Sequence, residues 1–395
     1  MTVRRGLFSA VFGCLEILRL IFSKADAPYR ANIYPIPFLR LWRRMAHLPR
    51  LFSGHPGRGR VFVVGEMDEG RTGRMRMEAM KKLFGEVGSL NTRPWTEELP
   101  IGKRLMTNHL YAGDVLREFN RAFREQVRRF HPDVLWVEKG LHVYSDTLTA
   151  IGEEVRPFLI NYSSDNQRMF QNQSRHYLMS VAFYDLHVTT KRHCIRWLEQ
   201  CGARRVEFMK QGFDPKVHRP MDLTPAEMEK YGCDVGFVGH WEPDREETLF
   251  YLWEKGYRLK VWGGDWRRAK RRRHPLFRDS CHLAGEEYVK ALCATRINLG
   301  FLSVRADDQT TSRSMEIPAC GGFLLAERTA EHTELFREGT EAEFYDTREE
   351  MRRKIDQYLL HVERREAVAR AGRARCLAGY SYEDRLRDLF ARVWG

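Results

Sequence analysis

The sequence predicts an α/β protein made of two parallel-sheet domains that face each other across a cleft. Three observations predict it. Runs that are apolar on both faces, such as RVFVVG (Arg60–Gly65) and DVGFVG (Asp234–Gly239), have the pattern of strands buried in a parallel sheet. Each of these two runs leads into a polar turn and then a helical pattern, so the strand–loop–helix unit that opens a Rossmann-like domain occurs twice. The other apolar runs alternate with helical stretches, as crossover connections require.

In chain order, residues 1–58 come first, as a basic amphipathic leader. Of the net charge of +13, the first 60 residues hold +9, from 11 Lys/Arg against Glu16 and Asp26 (11 − 2). Gly6–Phe22, GLFSAVFGCLEILRLIF, is apolar but interrupted by Glu16 and Arg19. It falls short of the about 20 residues a membrane span needs. Ser9, Glu16 and Ser23 leave one narrow polar stripe, and Pro35–Met45, PIPFLRLWRRM, follows as a basic aromatic collar. The pattern is that of a helix lying on an anionic membrane surface. A helix docked on the protein's own body is the alternative.

The rest of the chain is globular in composition. With 395 residues, 43% hydrophobic and 12% aromatic, it is long enough for two cores, and long disorder is excluded. Eight scattered cysteines without a C-x-x-C pair argue against a disulfide framework or a thiolate metal site, and fit a reducing cytoplasm.

Residues 59–214 form the first Rossmann-like domain in this reading. RVFVVG is followed by GRTGR (Gly70–Arg74), where Thr72 and Gly73 can present backbone N–H groups to a ligand. A helical pattern through Met75, Met77, Met80 and Phe84 comes next, then strands at Asp133–Val137, Phe158–Tyr162 and Asp185–Thr189. Strand ends supply Glu138 and Asp165 as candidate catalytic carboxylates, with His142 close behind Glu138. The periodicity breaks at Gly212–Met221, GFDPKVHRPM, which marks the linker.

Residues 215–378 form the second domain, with strands at Asp234–Gly239, Leu259–Trp262, Ile297–Leu302 and Phe323–Ala326. His240 follows the first of these as a candidate ligand contact. Arg267–Pro275, RRAKRRRHP, has six basic residues in seven; nucleic acid, a nuclear address or anionic lipid are its functional readings, and a solvated basic loop the preferred one. Residues 379–395 are a final helix expected to pack back toward the first domain.

The chemistry concentrates in Asp307–Glu327, DDQTTSRSMEIPACGGFLLAE. Thr310, Thr311 and Ser312 suit a helix cap whose free N–H groups bind phosphate, and Arg313 adds a guanidinium fork. Glu316, one turn on, can accept two hydrogen bonds from the vicinal hydroxyls of a ribose. Gly321 and Gly322 end the helix ahead of the next strand. A capped surface helix with an incidental glutamate is the alternative.

The segment RSMEIPACGGFLL resembles the donor-binding segment of GT-B glycosyltransferases of group 1, in particular the spore-maturation-type branch. DVGFVGHWEPDRE (Asp234–Glu246), the Gly212–Asp214 hinge and the carboxyl-terminal helices are similar to that family too, so the resemblance covers about residues 205–395. It implies a GT-B architecture and transfer of a sugar from a nucleotide-diphosphate sugar to an acceptor hydroxyl. It also implies that Glu316 holds the ribose, that Gly239 makes a tight turn, and that Arg245 reaches the diphosphate. In retaining relatives two glutamates are separated by seven residues; Glu316 takes the second position and Asp308 the first, as a candidate catalytic residue facing the donor sugar's hydroxyls, and the aspartate there leaves retention or inversion open.

No metal and no cofactor is expected beyond the nucleotide sugar, since the sequence has no D-x-D and no spaced His/Cys cluster. The partners expected are the nucleotide sugar, a glycan or lipid-linked acceptor, and an anionic membrane surface touching residues 1–50; no nucleic acid is expected. A catalytically silent sugar- or nucleotide-binding protein of the same fold remains an alternative, as does a basic nucleic-acid-binding protein.

Overall fold

The structure, a computed structural model, describes residues 59–96 and 113–394. The leader expected at 1–58 lies outside the described residues.

Two wholly parallel sheets organise the chain. The first contains β1 (Arg60–Gly65), β2 (Glu86–Asn91), β3 (Val134–Glu138), β4 (Phe158–Ser163), β5 (Leu186–Thr189) and β6 (Val206–Phe208), in spatial order β2-β1-β3-β4-β5-β6. Helices α1 (Thr72–Met80), α2 (Gly113–Phe130), α3 (Ser145–Glu154) and α4 (Arg192–Gln200) make its crossovers. The central strands are buried on both faces because helices cover both, which is why they read as unbroken apolar runs.

The second sheet contains β7 (Cys233–Val238), β8 (Leu259–Trp262), β9 (Thr295–Gly300), β10 (Leu324–Glu327) and β11 (Glu343–Tyr345), in order β11-β10-β9-β7-β8. Its helices include α5 (Pro243–Glu254), α6 (Gly285–Ala294), α7 (Arg313–Ala319), α8 (Arg348–Leu360) and α9 (Val362–Leu377). In both sheets the order reverses beside the first strand, the switch point at which α/β folds bind ligands.

Then α10 (Tyr382–Trp394) returns to the first sheet. Its Tyr382, Leu386, Leu389 and Phe390 join Val61, Val63, Trp136 and Ile160 in one buried cluster. The two crossings lie side by side, with Phe213 and Ser381 bridged. Ser381 and Asp384 start α10 with reciprocal bonds, each backbone N–H donating to the other's side chain at 3.1 Å.

Several elements differ from the sequence reading. β9 begins and ends two residues earlier than Ile297–Leu302, so a loop separates it from Asp307 and Asp308. That loop leans on the first domain: Asn166 Nδ2 donates to the Ala306 carbonyl at 3.0 Å, and His193 Nδ1 lies 3.3 Å from Asp307. The first helix stops at Met80 rather than Phe84. Thr347 and Glu350 have the spacing of a capping box at the start of α8; Thr347 caps Glu350 N–H, but the Glu350 carboxylate turns to Asp346 N–H at 2.8 Å and to Arg328, so half of the box forms.

Candidate functional site

A cavity of about 890 Å³ opens between the carboxyl ends of the two sheets, within the size range of ligand sites. Four loops of the first domain and five segments of the second line it.

On the first side, β1 ends at Gly65 and the chain passes through Glu66 to Thr72 and Gly73 at the start of α1. One turn along, Arg76 is buried with 3% of its side chain exposed, and Nε and Nη2 donate to the two oxygens of Glu138 at 2.9 and 2.6 Å. Trp136 Nε1 adds a third bond to Glu138 Oε1 at 2.8 Å. Tyr162 and Tyr382 rings lie 4.3 and 5.3 Å from the guanidinium carbon. Burial opposes charge on Arg76, yet the Glu138 carboxylate and the two phenols hold its pKa above the ordinary value. Only glycine fits at 65, because a Cβ there would come within 2.6 Å of Glu138 Cβ. Glu138 is therefore committed to Arg76 and Trp136, and its place is the floor of the cleft rather than a free base.

Asp165, after β4, also lines the cleft, 3.3 Å from Lys139 Nζ. Its negative charge, followed by the opposing effect of burial and then Glu66, raises the Lys139 pKa. Lys139 sits at φ 59°, a left-handed conformation that aims its side chain between Glu66 and Asp165.

On the second side, Gly239 and His240 follow β7, Gly263 and Gly264 follow β8, and Ser312, Arg313 and Glu316 come from α7. Arg313 Nη2 donates to the Phe301 carbonyl at 3.2 Å, while its buried Nε has no partner. Glu316 Oε2 accepts from the Tyr288 hydroxyl at 2.6 Å, and burial together with the Glu316 charge drives the Tyr288 pKa well up. The linker adds His218: its Nδ1 accepts from Asp214 N–H at 3.1 Å, which leaves the ring proton on Nε2, 3.6 Å from Glu316 Oε1. Glu316 thus has one oxygen fixed by Tyr288 and the other beside the His218 ring, on the cavity wall. Exposed His240 stands on the rim, 3.6 Å from Asp265.

The structure brings together Thr72, Gly73, Glu138, Asp165, Gly239, His240, Ser312, Arg313 and Glu316 around the cavity. It leaves six expected residues outside its lining, among them Thr310, whose hydroxyl donates to Glu331 at 3.2 Å. Asp308 is carried away by the loop after β9 and pairs with Lys191 of the first domain. Arg245 folds back onto the β7–α5 turn, donating to the His240 carbonyl at 2.8 Å with Glu242 at 3.0 Å. Burial, then the charge of Arg313, lowers its pKa. Thr311 has its hydroxyl buried, and the hydroxyl cap expected of Ser312 is absent. Gly321, at φ 78°, and Gly322 serve the end of α7. Arg76, Lys139, Lys191, His218 and Tyr288 were not among the expected residues. His218 lies within the GFDPKVH linker, whose break in periodicity was the one signal available.

Among the described residues, no group of three or more His, Cys, Asp or Glu is arranged to hold a metal ion, and no helix is long and apolar enough to cross a membrane.

Residues 245–391 match a family model described as glycosyl transferase-like. Among solved structures the chain is similar to sucrose-phosphate synthase from Thermosynechococcus elongatus, at 13% identity and a TM-score of 0.57, over 85% of this chain and 99% of that one. It is similar to HepE from Anabaena in complex with UDP-glucose, at 11% identity and a TM-score of 0.54, over 85% and 99%. An alpha-glucosyltransferase in complex with UDP-glucose and DNA containing an abasic site gives 11% identity and a TM-score of 0.58, over 86% and 100%. No curated protein sequence matches significantly. The fold is the two-sheet α/β architecture of GT-B glycosyltransferases.

Proposed function

We propose that the protein transfers a sugar from a nucleotide-diphosphate sugar to an acceptor hydroxyl, as a member of the spore-maturation-type branch of group 1 glycosyltransferases. The observation that carries this is the placement of Arg313 and Glu316, one turn apart on α7, on the same cavity that Thr72 and Asp165 line from the other sheet. The guanidinium of Arg313, which lines the cavity, offers charge-assisted donors to a diphosphate oxygen, and the carboxylate of Glu316 accepts from ribose hydroxyls. In the reaction the acceptor oxygen bonds to the anomeric carbon, the bond from that carbon to the diphosphate breaks, and Arg313 offsets the charge on the leaving group without a metal. The acceptor's proton goes to Asp165 in this reading, which is supported by both Glu138 oxygens being bonded while Asp165 faces Lys139 through one oxygen. The acceptor we propose is a glycan or lipid-linked sugar at the inner face of a membrane, a reading supported by the +9 charge of the first 60 residues.

A thermal-shift series with UDP, GDP and ADP tests the donor site, repeated with Glu316→Ala. One nucleotide is expected to stabilise the wild type and lose that effect in the variant. If no nucleotide shifts the melting temperature, or the variant responds equally, the reading is wrong. Binding without hydrolysis of any nucleotide sugar would favour a silent binding protein, a reading the engaged state of Glu138 and Asp308 keeps in view.

A further inference from the structure

The basic run Arg267–Arg273 has no place in the cleft chemistry, and its packing is specific. Glu246, fully buried on α5, accepts from the backbone N–H groups of Lys270 and Arg271 at 3.0 and 2.8 Å. Arg271 is bonded twice to Glu247, at 2.9 and 3.1 Å. Ala269 is buried beneath the loop. The two acids therefore fix the backbone and neutralise one cation. Arg267, Arg268, Lys270, Arg272 and Arg273 point outward, exposed, and among the described residues none forms an ion pair.

Next to this loop Trp253 is 45% exposed, an unusual position for the largest apolar side chain. Phe250 stacks on it at 5.6 Å and 23°, and His274 meets it at 4.3 Å and 81°. Phe250 and His274 hold the ring in place while leaving almost half of the residue exposed. A half-exposed tryptophan beside a run of arginines is the pairing that seats at a lipid headgroup layer, with the cations attracted by anionic lipid.

We propose that Trp253 and the Arg267–Arg273 loop form a docking surface for an anionic phospholipid membrane. The loop starts three residues after Gly264 of the cleft rim, so a bilayer held there stands beside the cavity mouth. The proposal does not depend on the sugar-transfer reading, because it is tested by vesicle binding alone.

The full chain is floated with phosphatidylcholine vesicles with and without phosphatidylglycerol. Two combined variants are compared with it: Arg267→Gln/Lys270→Gln/Arg272→Gln/Arg273→Gln, and Arg117→Gln/Arg121→Gln/Arg128→Gln/Arg129→Gln on α2, which removes equal charge elsewhere. The wild type is expected to bind the anionic vesicles and release in salt. The loop variant should lose at least about tenfold in partitioning, Trp253→Ser a smaller factor, and the α2 variant about twofold or less. Unchanged melting temperatures show that all fold. Flotation of the loop variant equal to wild type, an equal loss in the α2 variant, or salt-sensitive oligonucleotide capture without vesicle binding would each overturn the proposal.

Discussion

Lys191 and Asp308 form an ion pair between the two halves of the molecule, with 7% and 12% of their side chains exposed. Together with the Asn166–Ala306 bond it holds the loop after β9 against the first domain. Asp308→Ala strands an ammonium in a nearly closed site, so a loss of about 2–4 kcal/mol is expected in urea unfolding. Lys191→Met/Asp308→Leu should recover most of it. Nucleotide stabilisation should survive in Asp308→Ala and vanish in Glu316→Ala; the opposite pattern would return Asp308 to the donor site.

The Arg76–Glu138 pair is more deeply enclosed. Glu138→Gln leaves a buried guanidinium without its counter-charge and should cost about 3–5 kcal/mol. Arg76→Met/Glu138→Leu should be closer to wild type than either single change. Chemical denaturation of the three proteins checks it. A Glu138→Gln protein of normal stability but without transfer activity would make Glu138 a catalytic group instead.

Stability should fall on acidification. Burial, partly opposed by a carbonyl bond, holds the His187 and His332 pKa values down to about 4 from an ordinary 6.5. Between those values the unfolded chain binds more protons, so stability present above about pH 6.5 is lost as pH falls toward about 4, by up to about 3 kcal/mol per group. His332 holds Ser314 of α7 through Nε2 at 2.8 Å and the Glu327 carbonyl through Nδ1 at 2.7 Å. Urea midpoints between about pH 7 and about pH 4.5 should fall less steeply in His187→Gln/His332→Gln than in wild type. Parallel slopes would rule these imidazoles out.

Arg313 and Tyr288 should separate phosphate from ribose recognition. Arg313→Ala is expected to weaken UDP or GDP by about 1.5–3 kcal/mol, the range for a hydrogen bond to a charged group, and to weaken pyrophosphate as well. Tyr288→Phe frees the Glu316 oxygen it now fixes and should weaken the nucleotide by several-fold while leaving pyrophosphate unchanged. Calorimetric titration of the four pairs decides; equal effects of Tyr288→Phe on both ligands would count against ribose binding by Glu316.

The sequence was most legible where a strand is buried on both faces. β1, β3, β4, β5 and β7 fall within a residue of the apolar runs that mark them. β2, a half-exposed edge strand of sequence EVGSLN, and the three-residue β6 carry no such run and passed unseen. The same division holds in the cleft. Arg313 and Glu316 were visible because their chemistry is packed into one helix. Arg76 and Tyr288 were not, because each acquires meaning from a carboxylate 62 or 28 residues away. Asp308 misled for a related reason: its spacing from Glu316 says nothing about a loop that leaves the cleft for Lys191.

The return of α10 has a consequence for synthesis. The first sheet is complete in the chain by Phe208, yet Leu386, Leu389 and Phe390 still have to cover Trp136 and Ile160. On the ribosome that hydrophobic face must wait, uncovered, while the whole second sheet is made. A nascent chain stalled before Ser381 should therefore be the species that chaperones hold, and release of the last helix the event that frees it.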